Sequence, residues 1–108
     1  MKISSINNTI FGNRIETGQT DTIKYSKEFS DDNKLLKYIE KDMKTDKFLK
    51  VETFDNIGNR VEIQEYKYLP NKTIEHYKNK SQEYTRTITK EIKDSLSHVT
   101  EVFESKTS

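Results

Sequence analysis

The chain has 108 residues, of which 19 are basic and 18 acidic, so its formal net charge is +1. This length holds one domain, and a nearly neutral charge favours neither nucleic acid nor an anionic membrane surface as a partner. With 31% hydrophobic residues any core must be thin, and the absence of cysteine excludes disulfides, thiolate zinc sites and cysteine nucleophiles.

The N-terminal residues 1–20 are rich in Asn, Ser and Thr without regular alternation, which predicts a flexible arm with at most one short strand over Thr9–Ile15. The opening MKISSINNTIFG lacks the apolar segment of a secretory signal, and no apolar run in the chain reaches the roughly 18 residues of a membrane span. This opening is similar to that of many short uncharacterised bacterial proteins, and the resemblance implies a bacterial source. We therefore expect a cytoplasmic protein.

Five runs along the chain alternate between polar residues and β-branched or aromatic residues, which is typical of half-exposed β-strands. These runs are 22–29, 47–54, 60–69, 72–78 and 84–92. Clusters of turn-forming residues separate them at intervals of roughly 10 to 14 residues. This rhythm predicts antiparallel hairpins, in which each strand returns beside the one before it.

The stretch FDNIGNRV, residues 54–61, places Gly58 in an Asn-rich segment flanked by apolar residues. Glycine adopts positive φ without a steric penalty, and Asp55 and Asn56 can accept hydrogen bonds from nearby backbone N–H groups. These properties predict a chain reversal between two strands. Pro70, the only proline, has no N–H for a ladder and marks a second turn just outside a strand.

Residues 54–61 resemble one unit of the RHS/YD repeat family, whose motif is aromatic-Asp, two residues, Gly, a polar or basic residue and an apolar strand. Weaker similarities begin at Phe29 and at Tyr68, where an aromatic residue closes one strand and a polar turn with Lys opens the next. The resemblance covers residues 22–80. It implies successive hairpins in a long antiparallel sheet that can wrap into a shell, and it implies no reaction.

Two segments fit either a strand or a helix. Residues 35–43 carry apolar side chains at spacings of one, three and four, which suit a helix. A second helical stripe runs through the C-terminal part at Tyr84, Ile88, Ile92, Leu96, Val99 and Phe103. The threonines at alternate positions and the polar pair at 94–95 instead favour strands over 84–92 and 98–103. We prefer strand for all of these segments, and helix remains the alternative.

Together these features predict an all-β fold, an antiparallel meander of six or seven strands that forms a twisted open sheet or half-barrel. The alternative is an α+β fold with a C-terminal helix near residues 82–104. The meander is expected to form a single domain over residues 21–104, followed by a frayed tail at 105–108.

No constellation in the sequence indicates catalysis or metal binding. His76 and His98 are the only histidines and lack the spacing of a zinc site, and the acidic cluster at 31–33 lacks the register of a calcium loop. The glutamates and lysines alternate along the predicted strands, which predicts cross-strand ion pairs on a solvated face. We therefore expect a protein that is not an enzyme and that uses no cofactor or metal.

Tyrosines in the predicted strands form the candidate interaction surface, because tyrosine is favoured at protein interfaces. They are Tyr25, Tyr38, Tyr66, Tyr68, Tyr77 and Tyr84. An open sheet also has unpaired edges, so we expect a protein-interaction or assembly module that binds a protein partner or itself. The alternative is a small-molecule or lipid carrier in a curled meander. Three charged residues at inward-facing positions, Lys27, Glu65 and Lys78, disfavour the carrier.

Overall fold

The structure, a computed structural model, describes residues 8–10 and 13–106, which form one antiparallel β-sheet. Within these residues, nine strands lie side by side in the order in which they occur along the chain. They are β1 (Asn8–Ile10), β2 (Asn13–Gln19), β3 (Ile23–Phe29), β4 (Leu35–Asp42), β5 (Phe48–Phe54), β6 (Arg60–Leu69), β7 (Lys72–Asn79), β8 (Glu83–Lys93) and β9 (Leu96–Lys106). The predicted all-β antiparallel meander is confirmed. The sheet is open, because β1 and β9 are its two ends and do not pair with each other.

Both segments that fit either a strand or a helix are strands, so the α+β alternative with a helix near residues 82–104 is wrong. The first segment is β4, and the second is the β8–β9 hairpin. The apparent helical stripe arises because four is an even number, so residues i and i+4 also share one face of a strand. The turn at 94–95 then reverses the chain, and Ile92 and Leu96 lie on opposite faces of the sheet.

Three β-bulges interrupt the regular alternation. The extra residues are Leu36 in β4, Leu49 in β5 and Val61 in β6, each of which lies between two paired residues of its strand. A bulge brings two successive residues opposite a single partner and increases the local twist. The bulge in β4 accounts for the consecutive leucines that gave this strand its helix-like pattern.

The structure has nine strands rather than six or seven because the segment expected to be an N-terminal arm contributes β1 and β2. Side-chain contacts rather than apolar alternation join β2 to β3. The guanidinium of Arg14 lies 4.6 Å from the ring centroid of Phe29, and Glu16 lies directly opposite Lys27. Strand β9 continues to Lys106, two residues into the expected tail. The remaining residues of the expected arm and tail, 1–7, 11–12 and 107–108, lie outside the described residues.

The turn around Gly58 has the predicted construction. Gly58 has a φ of 91°, and the Asp55 carboxylate accepts hydrogen bonds from the backbone N–H groups of Ile57 and Asn59 at 3.0 and 2.9 Å. Pro70 lies between β6 and β7, also as predicted. Other turns place non-glycine residues at positive φ, namely Asn33, Asp46, Asp94 and Ser95.

The described strands form a single layer, and none of residues 13–106 is buried. Its Cα atoms extend over 56 × 40 × 21 Å. Stability must therefore come mainly from the backbone ladder and from contacts between side chains on neighbouring strands, since no second layer removes either face from water. Over the same residues there is no helix with the length and apolarity needed to cross a bilayer.

Candidate interaction surface

The six tyrosines proposed from the sequence lie on both faces of the sheet. Directly paired residues share a face and successive residues alternate, so the strand registers assign each side chain to one side. Tyr25 and Tyr38 lie on one side, the Tyr25 face. The other four lie on the opposite side together with Phe48 and Phe103. We call this second set the aromatic row and its side the row face: Phe48, Tyr66, Tyr68, Tyr77, Tyr84 and Phe103.

On the Tyr25 face, the ring of Tyr25 covers Gly18, its direct partner on β2. A Cβ atom at position 18 would lie only 2.3 Å from the Tyr25 hydroxyl oxygen and 2.4 Å from its Cζ, so this contact requires glycine. The ring also lies 6.4 Å from that of Tyr38, whose hydroxyl donates a hydrogen bond to Glu40. The Lys27 ammonium lies 5.5 Å from the Tyr25 ring centroid.

Charged residues interrupt the Tyr25 face at the positions predicted from the alternation. Lys27, Glu65 and Lys78 all point to this side, and Glu65 lies directly opposite Lys50. Such opposite-charge neighbours stabilise a solvated face by a few tenths of a kcal/mol to about 1 kcal/mol each. The face consequently lacks the continuous apolar lining that the interior of a carrier needs.

The first half of the aromatic row lies on β5 and β6. The rings of Tyr66 and Tyr68 are nearly parallel, with centroids 6.4 Å apart, and Tyr66 lies at the same distance from Phe48. The hydroxyl of Tyr68 donates a hydrogen bond to the backbone carbonyl of Phe48 at 2.7 Å. The ammonium groups of Lys41 and Lys47 lie 4.9 and 5.0 Å from the ring centroids of Phe48 and Tyr68. Cations on aromatic rings thus partly replace a covering layer.

The second half of the row crosses β7, β8 and β9. The ring of Tyr84 lies 5.0 Å from that of Tyr77 and 4.9 Å from that of Phe103. The Tyr77 hydroxyl donates a hydrogen bond to Glu62 and accepts one from the Asn79 side chain at 2.8 Å. These contacts fix the orientation of Tyr77 beside its neighbour.

A chain of three charged residues lies beside the second half of the row. Arg86 Nη1 lies 3.5 Å from Glu75 Oε1, and Arg86 Nε lies 3.2 Å from Glu101 Oε2. Arg86 Nε is inaccessible to solvent and has no hydrogen-bond partner. Its contact with Glu101 is therefore an ion pair without a hydrogen bond. Glu75 lies opposite Tyr66, and Arg86 lies opposite Phe103, so the charges separate the two halves of the row.

Five tyrosine hydroxyls have raised pKa values in the sheet and therefore favour their neutral form. Partial burial raises the pKa values of Tyr66, Tyr68 and Tyr84, and the hydrogen bond to Glu62 raises that of Tyr77. On the other face, burial and then the bond to Glu40 raise the pKa of Tyr38 to about 12. Each of these rings therefore combines apolar surface with an uncharged hydroxyl, a combination that suits a protein interface.

Five of the eight exposed large apolar residues found among residues 13–106 lie in the β8–β9 hairpin, and the sequence analysis included none of these five in the interaction surface. Strand β7 pairs with β8 only as far as Thr89, so residues 91–98 project beyond β7 as a two-stranded tip. In this tip the exposed fractions are 81% for Ile92 and 63% for Leu96. Val99, Val102 and Phe103 follow along β9 and are also exposed. The sequence contained a signal for this surface, namely the apolar residues of β9 that follow the two-residue turn at 94–95.

Each of the two histidines has a glutamate nearby on the adjacent strand. His76 lies 3.0 Å from Glu83 through Nε2 and 3.1 Å from Thr85 Oγ1 through Nδ1, while His98 lies opposite Glu91. Across residues 13–106, no three His, Asp or Glu side chains converge as metal ligands would. A shallow groove of about 440 Å³ over β2, β3 and β4 is open to solvent, and its lining includes Lys24 and Lys41.

The chain has no match among protein-family models, curated proteins or solved structures.

Proposed function

We propose that the chain is a non-enzymatic protein-interaction or assembly module, with the aromatic row as a contact surface. The observation that carries the proposal is that no residue between 13 and 106 is buried. Both faces of the sheet hold apolar and aromatic side chains in contact with water, and covering them by another protein chain would release that water. We further propose a cytoplasmic location in a bacterium, and a relationship of the 54–61 turn to RHS/YD repeat units.

The row face suits a protein partner better than a small molecule. It contains both flat aromatic rings and ionic groups. Protein interfaces combine the same two kinds of group, with aromatic residues at the centre and polar groups at the rim. The carrier alternative needs an enclosed apolar space, whereas the described strands form an open sheet with a charged Tyr25 face. Aromatic rings with hydroxyls, as in Tyr66 and Tyr84, also provide large contact areas with little loss of side-chain entropy.

Tyrosine nitration in a native extract tests this function. We expect the chain to elute as a particle larger than its own 12.8 kDa, and Tyr66, Tyr68, Tyr77 and Tyr84 to react several-fold less than in the dilute purified chain. Tyr25 on the opposite face is the internal reference. A particle of one-chain mass whose tyrosines react as in the purified chain would refute the proposal.

A further inference from the structure

We propose that β9 is a homodimerisation edge, along which β9 of a second copy pairs in antiparallel orientation about a two-fold axis at Glu101. This inference rests on the assembly role in the proposed function and names the same chain as the partner at the sheet edge, whereas the aromatic row lies on the sheet face. It starts from the length of the edge strand β9, which has 11 residues.

Strand β9 carries almost none of the features that normally block pairing at a sheet edge. Edges are usually protected by short strands, bulges, prolines or charged side chains, lysine above all, and the acidic residues of β9 are Glu101 and Glu104. The β8–β9 register is continuous, β9 contains no proline, and its single lysine is the terminal Lys106. All eleven residues of the strand are exposed. Within the part of the chain that the structure describes, a second strand therefore meets no bulge or proline along β9.

The turn at 94–95 determines which backbone groups of β9 are free. Asp94 and Ser95 have φ values of 52° and 65°, as in a type I′ hairpin, so the closing pair Lys93 and Leu96 is hydrogen-bonded. Hydrogen-bonded and non-bonded pairs alternate along an antiparallel ladder. The residues whose N–H and C=O groups point away from β8 are therefore Ser97, Val99, Glu101, Phe103 and Ser105.

With the two-fold axis at Glu101, these outward residues form bonded pairs with one another. Ser97 faces Ser105 of the second copy, and Val99 faces Phe103, each pair occurring twice. Together with the central pair they supply about ten backbone hydrogen bonds. Val99 of one copy then extends the aromatic row of the other, because Phe103 already contacts Tyr84.

The charges along β9 are complementary in this register. His98 of one copy lies opposite Glu104 of the other on the Tyr25 face, again twice. The two Glu101 carboxylates meet at the axis, where each already has Arg86 Nε at 3.2 Å. The order of ions across the axis is therefore Arg, Glu, Glu and Arg, so each carboxylate of the central like-charge pair has its own guanidinium partner.

The same register also supports the projecting tip. A two-stranded ribbon is marginally stable in water, and a third strand is normally needed. In the dimer, residues 96–98 of one tip pair with residues 104–106 of the other copy, so each tip gains a neighbouring strand. Because the interface is two-fold and uses the same edge of both copies, it closes at the dimer instead of extending into a fibre.

Charged pairs at the facing serines test both the partner and the register. Ser97 and Ser105 are exposed and face uncharged Ile92 and Tyr84 on β8, so charges there leave each monomer intact. We expect Ser97→Lys/Ser105→Lys and Ser97→Glu/Ser105→Glu to raise the dimer dissociation constant about tenfold in sedimentation equilibrium. Ser97→Glu/Ser105→Lys and Ser97→Lys/Ser105→Glu should restore or tighten the dimer. The double-glutamate variant changes the formal net charge from +1 to −1, so the magnitude of the net charge stays the same. Weaker association of this variant therefore cannot come from a larger overall charge.

Two results would overturn this edge pairing. If all four variants associate as tightly as the unaltered chain, association uses another surface, and the proposed function stands without the β9 register. If the unaltered chain is a monomer at every concentration, the second copy is not the partner. The nitration experiment in the native extract then decides separately whether a different protein covers the aromatic row.

Discussion

At the scale of single residues, backbone conformation in the turns controls much of the local stability. Gly58 has a φ of 91° with no atom within 4 Å of a Cβ placed there, so its requirement for glycine is purely conformational. Ser95 has a φ of 65° and bears the cost of a side chain in the left-handed region. Gly58 and Ser95 therefore allow the same conformational effect to be tested in both directions, by removing glycine at one and introducing it at the other.

Substitutions at this pair should act in opposite directions. Gly58→Ala is expected to lower the free energy of unfolding by roughly 1–2 kcal/mol, because alanine is strained at that φ. Ser95→Gly should raise it by about 1 kcal/mol, because glycine relieves the strain and Asp-Gly is a preferred type I′ pair. Urea denaturation measures both. Changes of the same sign would contradict the conformational explanation.

Gly18 differs from Gly58, since its constraint is the ring of Tyr25 rather than its own φ. We expect Gly18→Ala to destabilise the chain by about 1 kcal/mol, because the new methyl group displaces that ring from its place beside Tyr38. In the Tyr25→Ala background the same change should be neutral or stabilising, because alanine is better than glycine in a strand. A double-mutant cycle by denaturation measures the coupling. Equal effects in both backgrounds would show that the ring does not impose the glycine.

At the scale of elements, strands with regular alternation were predictable and strands held by other contacts were not. The runs that became β3, β5, β6, β7 and β8 were found to within a residue or two. Of strand β2, only the first residues fell within the short strand expected over Thr9–Ile15, because its polar side chains bind β3 through Arg14 on Phe29 and through Glu16 beside Lys27. Such contacts depend on the partner strand, and a pattern within one strand does not contain them.

The candidate surface was predictable as a set of residue types but not as a geometry. Two tyrosines on different strands share a face only if the strand register places them on the same side of the sheet. Each bulge moves the residues beyond it to the opposite side. The bulge at Leu49, for example, brings Phe48 to the same side as Tyr66. This is why Tyr25 and Tyr38 are separated from the other four, and why Phe48 and Phe103 join the row.

At the scale of the whole molecule, the ionisation of tyrosine links stability to alkaline pH. The raised pKa values mean that the unfolded chain, with values near 10.0, loses these protons before the folded chain does. The contribution of the neutral tyrosines is therefore complete below pH 10 and is lost as the pH rises through the folded values, up to about 12 for Tyr38.

An absorbance titration of tyrosinate checks this dependence. In the folded protein most tyrosines should ionise above pH 10, together with loss of the β-sheet dichroism, whereas in denaturant all should ionise near 10. Tyr38→Phe should remove the highest-pH part of the folded titration. A folded titration that coincides with the denatured one would contradict the desolvation of these hydroxyls.

In our account, the free β9 edge of this open single-layer sheet pairs with β9 of a second copy. Hydrogen exchange of the individual β9 amides, followed by NMR as a function of protein concentration, tests this most directly. The inward amides of His98, Thr100, Val102 and Glu104 should be protected at all concentrations. The outward amides of Ser97, Val99, Glu101, Phe103 and Ser105 should gain protection as the dimer forms and lose it on dilution. If the outward amides exchange freely in concentrated solution while the inward amides are protected, the β9 pairing is contradicted.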